Sequence, residues 1–356
     1  MVFLMNRLES NIYISELDSI CSQDLPWEKL AGKTLSLSGA TGMIGSFLID
    51  VIMRKNRINH LGCRILAIGR SEEKARARLP YFDNALFKFE EMDITERGVM
   101  PSGPSDFVIH LASSTHPRQY ASNPVGTICS NVDGLHNLLE YSSEHGARLL
   151  FASSVEVYGE NRGDVERFDE EYCGYIDCNT LRACYTESKR LGETMCQAYR
   201  SQKSVETVIA RIARVYGPTL LPDDSKALSQ FMHKALCHQN VVLKSSGTQH
   251  FSYLHVADAV SGLLYALLLG VDGEAYNLAD PSSDVTLRDL AMMVASAGNV
   301  EVVFDLPDAE EAAGYSKASI ALMDGSKMRE LGWIPFKGIK DGVAETLSVL
   351  QNLEAE

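Results

Sequence analysis

Three side chains could do chemistry by their type and spacing. Ser154 stands in the run Ser153-Ser154-Val155-Glu156-Val157-Tyr158-Gly159, and Tyr185 and Lys189 stand in Tyr185-Thr186-Glu187-Ser188-Lys189. On a helix, Tyr185 and Lys189 lie one turn apart on one face. An ammonium held there favours the phenolate and draws a phenol pKa of about 10 toward the range of a general base. A serine hydroxyl at a strand end can bond the same substrate oxygen. The trio therefore suits taking the proton of an alcohol while a hydride leaves its carbon. Glu156, two residues beyond Ser154, is expected on the same side of an extended strand end, with Val155 pointing into the protein.

A hydride needs an acceptor, and the stretch LSLSGATGMIGSFLID at 35–50 offers a place for one. A short apolar strand at 34–38 runs into Gly39, Gly42 and Gly45, and an apolar-faced helix starts inside that spacing. The first glycine makes the tight turn, the second lets a pyrophosphate approach the main chain, and the third lets helix pack on strand. The helix start offers N–H groups and the positive end of its dipole to the phosphates. Gly39, Thr41, Gly42, Met43, Ile44 and Gly45 are thus candidates for holding a dinucleotide. A second strand is expected at 64–68. At its tip an NAD site usually has an acid, and here the tip reads Gly69-Arg70-Ser71. An arginine beside a hydroxyl can accommodate a ribose 2′-phosphate, which tips the cofactor, NAD(P), slightly toward NADP. The alternative is a solvated Arg70 with Glu72 or Glu73 closing the pocket.

Further strands are expected at 87–92, ending in Asp93, at 107–110, leading into Leu111-Ala112-Ser113, and at 148–152, with helical apolar spacing at 124–144. This alternation predicts an α/β fold, a Rossmann-type doubly wound parallel sheet with ligands bound outside its carboxyl edge. Downstream, the pattern predicts a helix at 225–238, a strand-turn-strand at 241–250 with Ser246-Gly247 at the turn, and helices at 258–269 and 339–353. The expected division is an N-terminal extension at 1–31 with a helix-like run at 10–22, and a nucleotide-binding domain at 32–216. The part at 217–356 is expected to be mainly a smaller C-terminal α/β substrate lobe, with some segments returning to the first domain. A chain of 356 residues is long enough for both.

Composition excludes other classes. With 47 acidic against 33 basic side chains the formal charge is −14, which disfavours nucleic acid as a partner. Eight cysteines with no C-x-x-C pair indicate neither a zinc ribbon nor a disulfide framework, and read as reduced cytoplasmic thiols with no metal. The opening MVFLMN is too short an apolar run for a signal peptide or a membrane span.

Taken together, the motifs resemble the extended short-chain dehydrogenase/reductases, also known as NAD-dependent epimerase/dehydratases. The matching stretches are SGATGMIGS, HLAS, NVDGLHNLLE, SSVEVYGE, RACYTESKRLGE, RVYGP, YLHVADAV, EAYNLADP and SKMRELGW. The resemblance implies an enzyme that oxidises a carbon of a nucleotide sugar, C4 foremost, and then decarboxylates, dehydrates or epimerises it. It makes Tyr185 the base, Lys189 its partner and Ser154 the hydroxyl donor. It adds Asp93, Ile94, Leu111, Ala112, Ser113 and Asn131 to the cofactor set, and implies Ser114, Glu156, Arg182, Arg214, His250 and Phe251 on the substrate side. It further implies a homodimer built on the helices at 124–144 and 182–200.

Within that family, S-x-E-V-Y-G with RACY resembles UDP-glucuronate decarboxylases and, less closely, sugar-nucleotide 4,6-dehydratases. Dehydratases commonly carry an acid just before the glutamate, where this chain has Val155, so decarboxylation, which needs no such acid, ranks first. Two positions depart from the family pattern. Its substrate-binding asparagine is Arg214 here, and the arginine that grips the diphosphate is Phe251, leaving Arg214 or His250 to supply that charge. The alternatives are a net sugar dehydrogenase or reductase, an epimerase on a non-UDP substrate, and a non-catalytic dinucleotide sensor. A sensor has no need of the proton path that Ser154, Tyr185 and Lys189 provide.

Overall fold

The computed structural model describes residues 6–113, 115, 117–305 and 319–354. In chain order its strands are β1 (Thr34–Ser38), β2 (Arg64–Gly69), β3 (Phe87–Glu91), β4 (Phe107–His110), β5 (Arg148–Ser154), β6 (Thr207–Ile212), β7 (Arg214–Tyr216), β8 (Val241–Leu243), β9 (His250–His255), β10 (Ala275–Leu278), β11 (Asp284–Thr286), β12 (Val302–Phe304) and β13 (Ile320–Ala321). Seven of them form one parallel sheet in the order β10, β6, β5, β4, β1, β2, β3. The order reverses between β1 and β4, which opens a crevice at their carboxyl ends.

The period-two alternation of side chains splits the core between the two faces of this sheet. Leu35, Leu37, Ile65, Ala67, Ile109 and Leu150 pack with Phe47 and Val51 of the Met43–Asn59 helix and Leu263 of the Val256–Leu269 helix. Leu66, Ile68, Val108, Leu149 and Phe151 pack instead with Leu135 and Leu138 of the Pro124–His145 helix and Cys196 of the Ala183–Lys203 helix. The sheet is thus covered on both sides, as a doubly wound sheet must be. Among the described residues no helix is long and apolar enough to cross a membrane.

Local chemistry sets the helix starts. Asn123 accepts a hydrogen bond from the Gly126 N–H and Pro124 opens the Pro124–His145 helix. Ser10 does the same for Asn11–Cys21 through the Tyr13 N–H. That N-terminal helix is tied to the helix after the glycine turn. The buried Asp50 accepts from Arg7 Nε at 2.7 Å, from the Tyr13 hydroxyl at 2.5 Å and from the Tyr81 hydroxyl at 2.8 Å. Each partner satisfies a charge that burial would otherwise penalise.

A second sheet centres on β9, flanked by β11 antiparallel, and by β7 and β13 parallel. The strand-turn-strand expected at 241–250 is not formed. β8 pairs in parallel with β12, while β9 belongs to the other sheet. Ser246-Gly247 does turn, with Gly247 at φ +73°, but its carbonyl accepts from Arg288 N at 2.9 Å and Gln249 O accepts from Leu287 N at 2.8 Å. The turn docks on the start of the Leu287–Ala297 helix, and these bonds carry the chain away from β8.

Candidate active site

A cavity of about 890 Å³ lies at the carboxyl edge of the large sheet, in the range of pockets that hold cofactor-sized ligands. Its one end is the glycine turn. Gly39 sits at φ +75°, and a Cβ there would lie 2.8 Å from Ala112 N on the facing strand end, so the crossing of β1 and β4 excludes a side chain. A Cβ at Gly45 would lie 2.3 Å from Gly39 O, which is the close helix-on-strand packing the spacing requires. Gly42 precedes the Met43–Asn59 helix and gives no side-chain cap, so the first-turn N–H groups are not used up by a capping oxygen. Met43, Ile44, Leu111 and Ser113 line the same end, and the Ser113 hydroxyl is buried with no hydrogen-bond partner among the described residues. A dinucleotide phosphate fits this set of donors.

The other cofactor candidates sit less directly. Thr41 and Ala112 are half-buried beside the turn. Ile94 is buried against Gly134, and Asn131 is buried with Nδ2 donating to Ser188 Oγ at 2.9 Å and Oδ1 without a hydrogen-bond partner among the described residues. β3 ends at Glu91, one residue short of the expected strand. Asp93 lies beyond it, with Oδ1 accepting from Thr95 N and Thr95 Oγ1. Burial pushes the Asp93 carboxyl up, but the Thr95 bonds and the Arg70 charge outweigh it and hold the group below its ordinary value. Arg70 itself is exposed at the β2 tip, and the Ser71 hydroxyl caps the next helix by accepting from Lys74 N. Glu91, paired with Gly69 across the strands, accepts from Glu72 N at 2.7 Å and brings an acid to the same tip.

At the other end the cavity is lined by Ser154, Glu156, Tyr185, Lys189, Arg182 and Arg214. The Ala183–Lys203 helix presents Tyr185 and Lys189 on one face, and Lys189 Nζ donates to Ala152 O at 2.8 Å while lying 5.8 Å from the Tyr185 ring centroid. The sequence leads one to expect a phenol drawn down by this ammonium. Here burial pushes Tyr185 up to about 12, the Ser154 hydroxyl draws it down and Glu156 pushes it up. Burial lowers Lys189 to about 7. Desolvation penalises both charged forms and is the largest influence on each.

Glu156 is not on an extended strand end. The strand stops at Ser154, and Val155–Tyr158 is a 3-10 turn whose first free N–H, that of Glu156, donates to Ser154 Oγ at 3.3 Å. A serine ending a strand caps the turn that follows, which sequence alternation alone does not reveal. Glu156 still faces the cavity, its carboxylate 3.3 Å from Arg182 Nη2 and 3.5 Å from Arg214 Nη2. The Arg214 guanidinium lies over the Phe251 ring, 3.8 Å from the centroid. His250 is half-buried on β9, paired with Thr286 and Ile320, and does not line the cavity. Ser114 lies outside the described residues.

Two features escaped the sequence. Tyr120 stacks on Tyr185, with centroids 4.9 Å apart and planes at 25°, from the short Pro117–Ser122 helix that carries no periodic signal. Lys226, just before the Ala227–Leu236 helix, and Lys244, just after β8, also line the cavity.

Comparison with known proteins gives the family. Residues 36–279 match the model of the NAD dependent epimerase/dehydratase family, and the chain belongs to that family. It is 32% identical over 312 residues to UDP-glucuronic acid decarboxylase 3 of Arabidopsis thaliana, covering 86% of each. It is 29% identical over 319 residues to UDP-glucuronic acid decarboxylase 1 of Xenopus tropicalis, covering 88% of this chain and 71% of that protein. In fold it is similar to UDP-glucuronic acid 4-epimerase from Bacillus cereus, solved with UDP-glucuronic acid and NAD, at a TM-score of 0.74 and 20% identity over 90% of this chain and 99% of that one.

Proposed function

We propose that this chain oxidises C4 of a nucleotide sugar and then decarboxylates it, with UDP-glucuronate as the substrate ranked first. The observation that carries the reading is one cavity lined by the glycine turn at one end and by Ser154, Glu156, Tyr185 and Lys189 at the other. Gly39, Gly42 and Gly45 would hold a nicotinamide dinucleotide, whose chemistry when bound would be to accept the C4 hydride and to give it back to C4 after decarboxylation. Ser154 bonds the C4 oxygen, and Tyr185, acting as the phenolate whose charge Lys189 offsets, takes its proton and becomes the neutral phenol. Once C4 is a ketone, the bond from C5 to the carboxyl carbon breaks. Its electron pair passes into the ketone, carbon dioxide leaves, and water supplies a proton to C5. Val155 offers no acid to expel a hydroxyl from C6, which sets dehydration below decarboxylation.

The test is the mass of the product. Wild-type enzyme is expected to convert UDP-glucuronate into a nucleotide sugar lighter by one carbon dioxide. Glu156→Gln is expected to slow that conversion, with reduced cofactor accumulating in the enzyme. A wild-type enzyme that leaves UDP-glucuronate intact and instead removes one water from a dTDP-, GDP- or CDP-hexose overturns the ranking.

On the cofactor, Arg70 is the cation at the ribose end that a 2′-phosphate would meet, and Glu91 at the same tip opposes it. Arg70→Ala is expected to weaken NADP by about 1.5–3 kcal/mol, the scale of a lost charged hydrogen bond, and to leave NAD nearly unchanged. Titration with each dinucleotide checks this, and equal losses for both would return Arg70 to the solvated surface.

A further inference from the structure

The Ala183–Lys203 helix carries a third polar side chain on the face that bears Tyr185 and Lys189, namely Glu193, one turn beyond the lysine. It is 86% buried, since its side chain keeps 14% exposure, and it reaches neither substrate nor cofactor in the scheme above. Its Oε1 accepts from Ser153 Oγ at 2.5 Å and from Arg211 Nε at 3.0 Å, and its Oε2 accepts from Arg211 Nη2 at 2.7 Å. The remaining nitrogen of Arg211 donates to the Tyr158 hydroxyl at 3.1 Å and to Glu170 O at 2.7 Å. On the same helix, Lys189 holds Ala152 O and Arg190 Nε holds Val157 O at 2.7 Å.

Along the segment 152–158, then, residues 152, 153, 157 and 158 are each fastened to this helix or to Arg211. Ser154, Val155 and Glu156 lie between these fastenings, and all three line the cavity. Fastening both flanks of a short turn fixes what lies between them, which is how a site holds its groups within the tolerance that chemistry needs.

We infer that Glu193, clamped by Arg211, is the positioning residue of this site: it fixes Ser153, and through it Ser154 and Glu156, and it sets a negative charge beside Lys189. The inference rests on the catalytic reading of Ser154, Tyr185 and Lys189. Burial lowers Lys189 and the Glu193 charge raises it, with Cys196 acting in the same direction. The other groups packed around the ammonium are Tyr185 on its own helix, the Phe151 ring at 4.8 Å and Ala152 O on β5, and His110 on β4, a neutral histidine that burial and Lys189 together hold at about 3. Among these groups Glu193 is the one carboxylate.

The test has a substrate-free arm and a kinetic arm. In the first, the melting temperatures of wild type, Glu193→Gln, Lys189→Met and the double variant are measured against pH. Glu193 stabilises the ammonium, which exists below the folded pKa of about 7, so the coupling is favourable below that pH and fades above it. Its expected size is on the order of 2 °C. The cost of an unpaired Arg211 appears in both variants lacking Glu193 and cancels in the cycle. A coupling that is absent, or that does not change with pH, overturns the electrostatic half of the inference.

In the kinetic arm, with UDP-glucuronate, Glu193→Gln is expected to lower kcat by about 10–100-fold with KM nearly unchanged, and to move the alkaline limb of activity to lower pH. Glu193→Asp restores the limb. Ser153→Ala, which keeps every charge, lowers kcat without moving the limb. Ser153→Ala with wild-type kcat overturns the positioning half even if Glu193→Gln fails to fold. The failures are separable: an active Tyr185→Phe enzyme, or a wild type inert on UDP-glucuronate, defeats the proposed function, while the melting cycle judges Glu193 without turnover.

Discussion

Tyr185→Phe is expected to lower turnover by about 10²–10⁴-fold, the usual contribution of a positioned general acid or base, while leaving fold and dinucleotide binding intact. The substitution removes one oxygen from a ring that is stacked on Tyr120 and buried, so packing changes little. What disappears is the group proposed to take the C4 proton beside Ser154. Burial pushes the phenol up to about 12 and Lys189 down to about 7, so the charged form of each is penalised on its own. Creating phenolate and ammonium together in a desolvated site lets each offset the cost of the other, which neither does alone. Lys189→Ala should therefore cost about as much as Tyr185→Phe, and the two losses should not add. Single-turnover measurement of cofactor reduction checks both, and wild-type-like reduction by Tyr185→Phe would remove it from the mechanism.

The sheet and its order of elements were legible because a parallel strand buried on both faces leaves an apolar run that periodicity detects. The run Leu149, Leu150, Phe151 is such a case. The glycine turn was legible for another reason: Gly39 and Gly45 stand where a Cβ meets backbone at 2.8 and 2.3 Å, so the residue type itself reports the geometry. What stayed hidden depends on partners distant in sequence. Nothing local in 241–250 says that β8 seeks β12, or that the turn at Gly247 docks on Arg288. The Ser154 cap that bends Glu156 out of the strand is a competition between two local bonds, and apolar alternation is blind to it. The sequence offers Glu72 or Glu73 as the acid near the β2 tip, whereas Glu91 brings one there from the neighbouring strand.

Arg214→Ala is the substitution with the next largest expected effect, a loss of about 1.5–3 kcal/mol in nucleotide-sugar affinity, or roughly 10–150-fold. Its guanidinium is held by Phe251 on one face, and its Nη2 lies 3.5 Å from Glu156 Oε1, longer than a well-made ion pair. Nη1 is buried with no hydrogen-bond partner among the described residues. A part-buried guanidinium with one buried donor to spare favours an anion that meets it, and a nucleotide sugar brings anions to this cavity. Arg182 also faces Glu156, but its side chain is 44% exposed, so solvent screens it and Arg182→Ala should cost far less. The comparison to make is calorimetric binding of UDP, UDP-glucose and UDP-glucuronate to wild type and to both variants. A loss shared by all three ligands assigns Arg214 to the diphosphate, in place of the arginine whose position Phe251 occupies. A loss confined to UDP-glucuronate assigns it to the sugar carboxylate. Unchanged binding of all three would leave Arg214 as the partner of Glu156 and Phe251 and pass the phosphate charge to Lys226 and Lys244, which line the same cavity.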